Sequence, residues 1–123
     1  MSQSDSSIRS HLPLKPVEFL VLAVLRHGAL HGYGLVQAMD QRTDGQVKVR
    51  PGDLYRVLYR MSRRGLVAAA ETGSASSEPQ DERRAYYEIT DFGRRVVEAE
   101  ARMLAGIVAD VMKPTNTPTL EVS

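Results

Sequence analysis

The sequence predicts a mainly α-helical protein with one small β-hairpin and a long helix near its end. Three observations support this class. Three helical segments bounded by glycine or proline come first, two short strand-like segments follow, and the last segment is helical over about 20 residues. Both ends of the 123-residue chain are polar, so about 100 residues remain to fold, which is the size of one domain.

The first two predicted helices differ in polarity. The segment PVEFLVLAVLRHG, which starts at Pro16, is apolar almost all round and predicts a buried helix that ends at Gly28. A short link, ALHG, leads to YGLVQAMDQRT, a more amphipathic helix that starts at Tyr33. The pair Asp44-Gly45 is a turn signal, so this second helix ends before it.

The third predicted helix has well-marked ends and two distinct faces. Pro51 suits the first helical position, and Gly65 is a stop signal after Arg64. At about 100° per residue, one narrow side is apolar and is predicted to pack on the core. This side carries Leu54, Val57, Leu58 and Met61.

The segments LVAAAET and AYYEIT predict the two strands of a hairpin. A twelve-residue polar loop, GSASSEPQDERR, separates them and forms an unusually long tip. Thr90 is placed to cap the last helix, which Pro114 ends. Three helices followed by a two-stranded hairpin form the winged helix-turn-helix plan, in which the second and third helices are the helix-turn-helix unit.

This plan divides the chain into four parts. We predict disordered tails over residues 1–12 and 114–123, because the first is rich in serine and the second in threonine and proline. Between them we predict a winged-helix DNA-binding domain over residues 13–90 and a C-terminal dimerisation helix over residues 91–113.

The charge of the chain is concentrated on the third helix. The net charge is +1, but residues 46–64 carry six cations and one acid. Several arginines lie three or four residues apart on this helix, where like charges repel one another. An ordinary solvated face is the simpler interpretation, but the density of like charge favours an anionic partner.

Duplex DNA suits this helix as a partner. An α-helix fits the major groove, arginine binds guanine and phosphate, and tyrosine hydroxyls bind phosphate. Because the start of the second helix of such a unit meets the bases, Arg50, Asp53 and Tyr55 are expected at bases or at the first phosphate. Arg60 and Arg63 lie further along the helix and are expected to follow the backbone. The full predicted set is Tyr33, Lys48, Arg50, Asp53, Tyr55, Arg56, Tyr59, Arg60, Arg63, Arg83 and Arg84.

Three motifs resemble the PadR family of bacterial winged-helix transcriptional regulators. They are HGYG at 31–34, RPGDLYRVLYRMSRRGLV at 50–67 and RRAYYEITDFGRR at 83–95, and the resemblance runs from about residue 14 to 112. It implies a homodimeric repressor that binds an inverted-repeat operator and is released by a small molecule or stress signal. It also implies that Tyr33, Tyr55 and Arg56 approach DNA. The single final helix resembles the shorter subgroup of the family.

The sequence departs from the family pattern at three places. Arg50 stands where a small polar residue or glycine usually caps the third helix, and its side chain cannot accept the capping bond. Asp53 stands where threonine is common; it could reach back to the Arg50 amide or accept a hydrogen bond from cytosine. The hairpin tip is acidic, so wing contacts to phosphate are expected only from Arg83 and Arg84.

The last helix carries a broad apolar stripe that its own domain cannot cover. About 20 residues span about 30 Å, which is the width of a small domain. Ordinary core packing could account for Val96 and Val97, but the distal half favours dimerisation with the partner's first helix. The predicted interface is Phe19, Leu20, Leu22, Met103, Leu104, Ile107, Val108, Val111 and Met112.

Other functional classes receive little support. The chain has no cysteine, and Gly28 interrupts the helical spacing of His27 and His31, so we expect no metal, no cofactor and no enzyme activity. Met39, Met61, Met103 and Met112 could line an adaptable effector pocket, although core filling is the simpler role.

No apolar segment reaches the length of a membrane span and no signal peptide is evident, so we expect a cytoplasmic, nucleoid-associated protein. The alternative function is a winged-helix module whose basic face binds an acidic protein.

Overall fold

The computed structural model describes residues 5–70 and 86–115 and confirms the winged-helix plan with a long final helix. The helices are α1 (Asp5–Arg9), α2 (Pro16–Leu25), α3 (Gly32–Arg42), α4 (Pro51–Arg63) and α5 (Asp91–Met112). The strands are β1 (Leu30–His31), β2 (Val67–Ala70) and β3 (Tyr86–Ile89). Within these residues, no helix combines the length and the apolar character needed to cross a bilayer.

The sheet has three strands, not the two that the sequence predicted. β3 lies in the centre and pairs antiparallel with β2 on one side and with β1 on the other. The extra strand comes from the link before α3, where Leu30 lies opposite Tyr87 and His31 opposite Tyr86. Two residues are too few to show strand periodicity, so only the partner strand reveals β1. It ties the start of α3 to the hairpin.

The core lies where α2, α3, α4 and α5 meet, and it includes the predicted apolar side of α4. Leu54, Leu58 and Met61 are buried, and Val57 is half-buried. Leu22, predicted for the dimer interface, is completely buried in this core. It cannot meet a partner subunit unless the domain opens, so this assignment is wrong.

The segment before α2 differs from the predicted disordered tail over residues 1–12. It contains α1, and Ile8 and Leu12 pack against the core. These two apolar side chains lie in an otherwise polar stretch, which concealed their packing role. Residues 1–4 lie outside the described residues, as do residues 116–123 of the second predicted tail.

Glu100 holds the same segment against α5. Although this residue is acidic, its side chain is buried. Its Oε2 accepts a hydrogen bond of 3.1 Å from the Leu14 amide. The partner lies 86 positions away in the chain, so no local pattern could indicate the contact.

A second buried carboxylate, Glu18, connects α2 to the end of α4. Its Oε1 accepts from the Lys15 amide at 3.1 Å, and its Oε2 accepts from Arg64 Nη1 at 3.0 Å. Arg64 Nε also donates to His11 Nδ1 at 3.3 Å, and the His11 ring packs edge-on against Phe92. Burial and the Arg64 charge hold the pKa of His11 below its ordinary value, while Glu18 opposes them. A neutral His11 can accept the arginine hydrogen bond.

The junction between β3 and α5 packs closely against the end of α4. The Thr90 amide donates to the Leu66 carbonyl oxygen at 3.1 Å. The Thr90 hydroxyl caps α5 by accepting from the Gly93 amide at 2.9 Å. A methyl group on Gly93 would overlap the same Leu66 carbonyl oxygen. Only glycine therefore permits this approach between α5 and the backbone that follows α4.

We expect Gly93→Ala to lower the free energy of unfolding by about 2 kcal/mol or more, because a rigid backbone group must move to admit the methyl. Gly52→Ala is the control, since no atom lies within 4 Å of a methyl placed there. The control should be neutral or stabilising by up to about 1 kcal/mol, because alanine favours helix over glycine. Urea denaturation followed by circular dichroism measures both variants. Equal stability of the two would contradict the close packing of α5.

Candidate nucleic-acid interface

The exposed face of α4 carries most of the predicted DNA-binding residues. Arg56, Tyr59, Arg60 and Arg63 are all exposed, opposite the buried apolar side. Tyr59 is 63% exposed, which is high for an aromatic side chain. Arg64, which the sequence grouped with these cations, instead turns inward to Glu18. Arg64 was not among the predicted DNA-binding residues, so the predicted cationic face keeps all its arginines.

The N-terminus of α4 lacks a side-chain cap, as the sequence predicted. Arg50 is the N-cap residue, and its side chain makes no capping hydrogen bond. Asp53 does not reach back to Arg50; its carboxylate pairs with the Arg56 guanidinium. Both side chains are more than half exposed, so this pair contributes little to stability and can open for another partner.

Tyr55 packs against the body of the protein although it is 45% exposed. Its hydroxyl oxygen would lie 2.6 Å from a Cβ placed on Gly32. Its ring centroid is 6.4 Å from that of Tyr87, and burial, followed by the effect of Tyr55, raises the pKa of the Tyr87 hydroxyl. Tyr55 thus joins α4 to the start of α3 and to β3, and only part of its ring faces outward.

The start of α3 presents another exposed aromatic residue. Tyr33 is 60% exposed, and its ring is parallel to that of His31 at 6.4 Å between centroids. His31 caps α3, since its Nδ1 accepts from the Gly34 amide at 3.1 Å. The His31 ring also packs edge-on against Tyr86. Tyr33 is therefore exposed at the same end of α3 that Tyr55 contacts.

Two further predicted cations have partners on the surface. Lys48 Nζ lies 3.0 Å from Asp40 Oδ1, so an acid of α3 offsets part of its charge. Arg63 Nη1 donates to the Tyr59 hydroxyl at 3.1 Å, and its guanidinium carbon lies 5.8 Å from the centre of that ring. The contact holds Arg63 against an aromatic face without neutralising it. The two wing candidates, Arg83 and Arg84, lie outside the described residues.

The distal half of α5 is a second exposed surface, and it is apolar. The exposed fraction rises along the helix from 40% at Met103 to 76% at Met112. Ile107, Val108 and Val111 lie between them and are more than half exposed, while Leu104 is half-buried. On α2, Phe19 and Leu20 are half-buried at the edge of the core.

Within the described residues, the four methionines proposed for an effector pocket do not come together. Met39 and Met61 are buried in the core, whereas Met103 and Met112 lie on the exposed part of α5. A cavity of about 320 Å³ instead lies between α2 and α5, where Phe19, Arg26 and Arg102 are among its lining residues. Over residues 5–70 and 86–115, no group of three His, Asp or Glu side chains is placed to bind a metal ion.

Comparison with protein-family models identifies a family for most of the chain. The family model described as "Transcriptional regulator PadR-like family" matches residues 21–99. No curated protein matches the sequence.

Similar solved structures include a PadR-like regulator from Bacillus cereus, with a TM-score of 0.62, 20% identity and coverage of 90% of this chain and 100% of that one. Another is BpsR of Bordetella bronchiseptica, with a TM-score of 0.63, 23% identity and coverage of 91% and 73%. A third is the repressor CouR bound to a 23-mer duplex, with a TM-score of 0.63, 16% identity and coverage of 85% and 68%. At these identities the likeness supports a shared fold.

The contact between Gly32 and Tyr55 predicts a coupled pair of substitutions. Gly32→Ala should lower the free energy of unfolding by about 1–2 kcal/mol, because the new methyl displaces the Tyr55 ring. In a Tyr55→Ala background the same change should cost little, since the obstructing ring is absent. Gly34→Ala is the control, because a methyl there meets its nearest neighbour at 3.5 Å, an ordinary contact. Denaturant titrations of the four combinations measure the coupling; an equal cost of Gly32→Ala in both backgrounds would rule out this contact.

Proposed function

Since the chain belongs to the PadR-like family of transcriptional regulators, we propose that it is a homodimeric repressor that binds an inverted-repeat operator through α4. The family consists of regulators, so the chain is a DNA-binding regulator and not an enzyme. The observation that carries the finer proposal is the exposed cationic and aromatic face of α4. Action at an operator would place the protein on the nucleoid.

The proposed contacts follow from the position of each side chain along α4. Arg50 and Asp53 lie at the start of the helix, the end that enters the groove in helix-turn-helix proteins, and we assign them to bases. Arg56, Tyr59 and Arg63 lie on the exposed face and are assigned to phosphates. Tyr33, Lys48 and the exposed part of Tyr55 extend this surface beside α4.

A second copy of the chain is the proposed partner of the distal half of α5. This helix has 22 residues, hence a length of about 33 Å. The six side chains of its apolar stripe are half-buried or exposed, and a matching stripe would bury them. A dimer would place two α4 helices on one face, where they would contact two half-sites about 34–36 Å apart. Once one helix is bound, binding of the second is effectively intramolecular and occurs at high effective concentration.

Release by a small molecule is the last part of the proposal. DNA binding by BpsR is regulated by 6-hydroxynicotinic acid, and CouR is a repressor. In this chain the cavity between α2 and α5 is at the lower end of the size range of ligand sites. A molecule bound there would contact both the domain and the dimerisation helix, so it could alter the spacing of the two α4 helices.

The Asp53–Arg56 pair provides the test of DNA binding. We expect Arg56→Ala to weaken binding to all duplexes and to make the plot of log affinity against log salt shallower by about 0.9 for each phosphate that is no longer neutralised. Asp53→Asn should strengthen binding to non-specific duplex, because it frees Arg56 and removes a carboxylate from the interface. Arg42→Ala, at the far end of α3, is the control for removal of one exposed cation.

Fluorescence anisotropy with an operator recovered from genomic fragments, and with a shuffled duplex, gives both affinities. If the slope of log affinity against log salt is unchanged in Arg56→Ala, α4 does not contact the DNA backbone through this residue. Equal affinity of the wild type for both duplexes would favour an acidic protein as the partner.

A charge on the apolar stripe provides the test of the dimer. Val111→Asp should dissociate the dimer and lower operator affinity by about 100-fold, because the two half-sites are no longer bound jointly. Ala109→Asp introduces the same charge on the opposite side of α5 and should leave both properties unchanged. Sedimentation velocity beside the operator titration measures mass and affinity together. A wild-type monomer that binds the operator tightly would disprove the dimer.

A further inference from the structure

A cleft of about 530 Å³ lies beside α4, on the side that faces the segment before α2. Residues 10–13 form one wall, and the last turns of α4 form the other. The charged groups that line it are Lys15, Glu18, Arg60 and Arg64, with His11 between them. Three cations therefore meet one carboxylate in a concave site.

The carboxylate does not neutralise the cations that face the cleft. The Glu18 carboxylate accepts hydrogen bonds from Arg64 and from the Lys15 backbone amide. The Lys15 ammonium and the Arg60 guanidinium are exposed and form no ion pair with any residue of 5–70 and 86–115. His11 accepts from Arg64 through a neutral ring, so it adds no negative charge. The charged groups around the cleft would therefore suit an anion.

The place of the cleft on α4 suggests which anion it receives. At about 100° per residue, Arg60 lies on the edge of the exposed face that is nearest to α2, whereas Tyr55 lies on the opposite edge, against α3 and β3. A helix in the major groove has a sugar-phosphate backbone on each side. The anion that comes closest to the Arg60 edge of a docked α4 is therefore a phosphate of the DNA.

We propose that Lys15 and Arg60 together bind a backbone phosphate in this cleft, so that the segment before α2 belongs to the DNA interface. This inference rests on the proposed binding of DNA through α4. Lys15 precedes residues 21–99, which the family model matches, so the contact comes from a part of the chain outside that match.

The backbone around Lys15 is already held in place for this contact. The Lys15 amide is bonded to Glu18, and the preceding amide, of Leu14, is bonded to Glu100. Ile8 and Leu12 anchor the same segment to the core. Binding a phosphate would then order only the side chains of Lys15 and Arg60, and this lowers the entropic cost of the contact.

The test compares Lys15→Gln, Arg60→Gln and the double variant on one duplex at several salt concentrations. Lys15→Gln keeps the backbone amide that caps α2. Each single variant should weaken binding by about 3–10-fold at 0.1 M salt and make the salt slope shallower, and the double variant, which leaves the phosphate without either cation, should make it shallower by about 0.9 per subunit. Because both cations bind the same phosphate, the double variant should weaken binding by less than the product of the two single effects. Arg42→Gln, which removes an exposed cation far from the cleft, should leave the slope unchanged.

A second measurement separates DNA from a free anion. Thermal unfolding is followed with and without inorganic pyrophosphate, in the wild type and in Lys15→Gln. If Lys15→Gln leaves the DNA slope unchanged while pyrophosphate raises the Tm of the wild type alone, a small phosphorylated molecule occupies the cleft and the DNA assignment is overturned. If neither measurement changes, the cleft binds no anion. Arg56→Ala must still weaken DNA binding in either case; a wild type that binds no duplex would overturn the proposed function as well.

Discussion

The ion pair between Glu18 and Arg64 sets the position of α4, on which the proposed interface depends. Glu18 is buried, and its two oxygens are used by different elements: one caps α2 and the other receives the guanidinium at the end of α4. Two charges removed from water do not by themselves make a domain more stable. Removal of Arg64 would leave the Glu18 carboxylate buried without its ionic partner, however, and that cost favours one position of α4 against α2.

The same pair explains how the cationic helix can exist without DNA. Four arginines close together on one helix would repel one another. Arg64 leaves the exposed face by pairing inward, Arg56 pairs with Asp53, and Arg63 lies against the Tyr59 ring. The two exposed contacts are local and easily opened. The free protein can therefore keep its cations apart, and exchange of the exposed contacts for phosphate requires little rearrangement of the backbone.

Periodicity and end signals in the sequence predicted the helices of the winged-helix plan, because each helix shows its pattern within its own residues. Contacts that depend on a distant partner could not be predicted in this way. Glu18 and Arg64 are 46 positions apart, and β1 becomes a strand only by pairing with β3. Leu22 was misassigned for a related reason: α2 is apolar almost all round, so its pattern does not distinguish the core side from a side that could meet a partner. On α4 the charged and apolar faces are distinct, and the exposed candidates there could be identified.

All three motifs that resemble the family meet in the structure, and they meet through packing. Gly32, from HGYG, provides the space that the Tyr55 hydroxyl occupies, and Gly93, after YYEIT, provides the space for the Leu66 carbonyl. These contacts join α3, α4 and α5 into one frame and do not themselves select a base sequence. At the start of α4, Arg50 and Asp53 depart from the family pattern. Neither is needed for that frame, because Arg50 makes no capping bond and Asp53 takes part only in an exposed ion pair. Residues free of a structural role can change while the fold is kept, so in the proposed complex with DNA the choice of operator would be carried by residues other than those of the frame. Specificity particular to this chain is therefore expected to reside in Arg50 and Asp53.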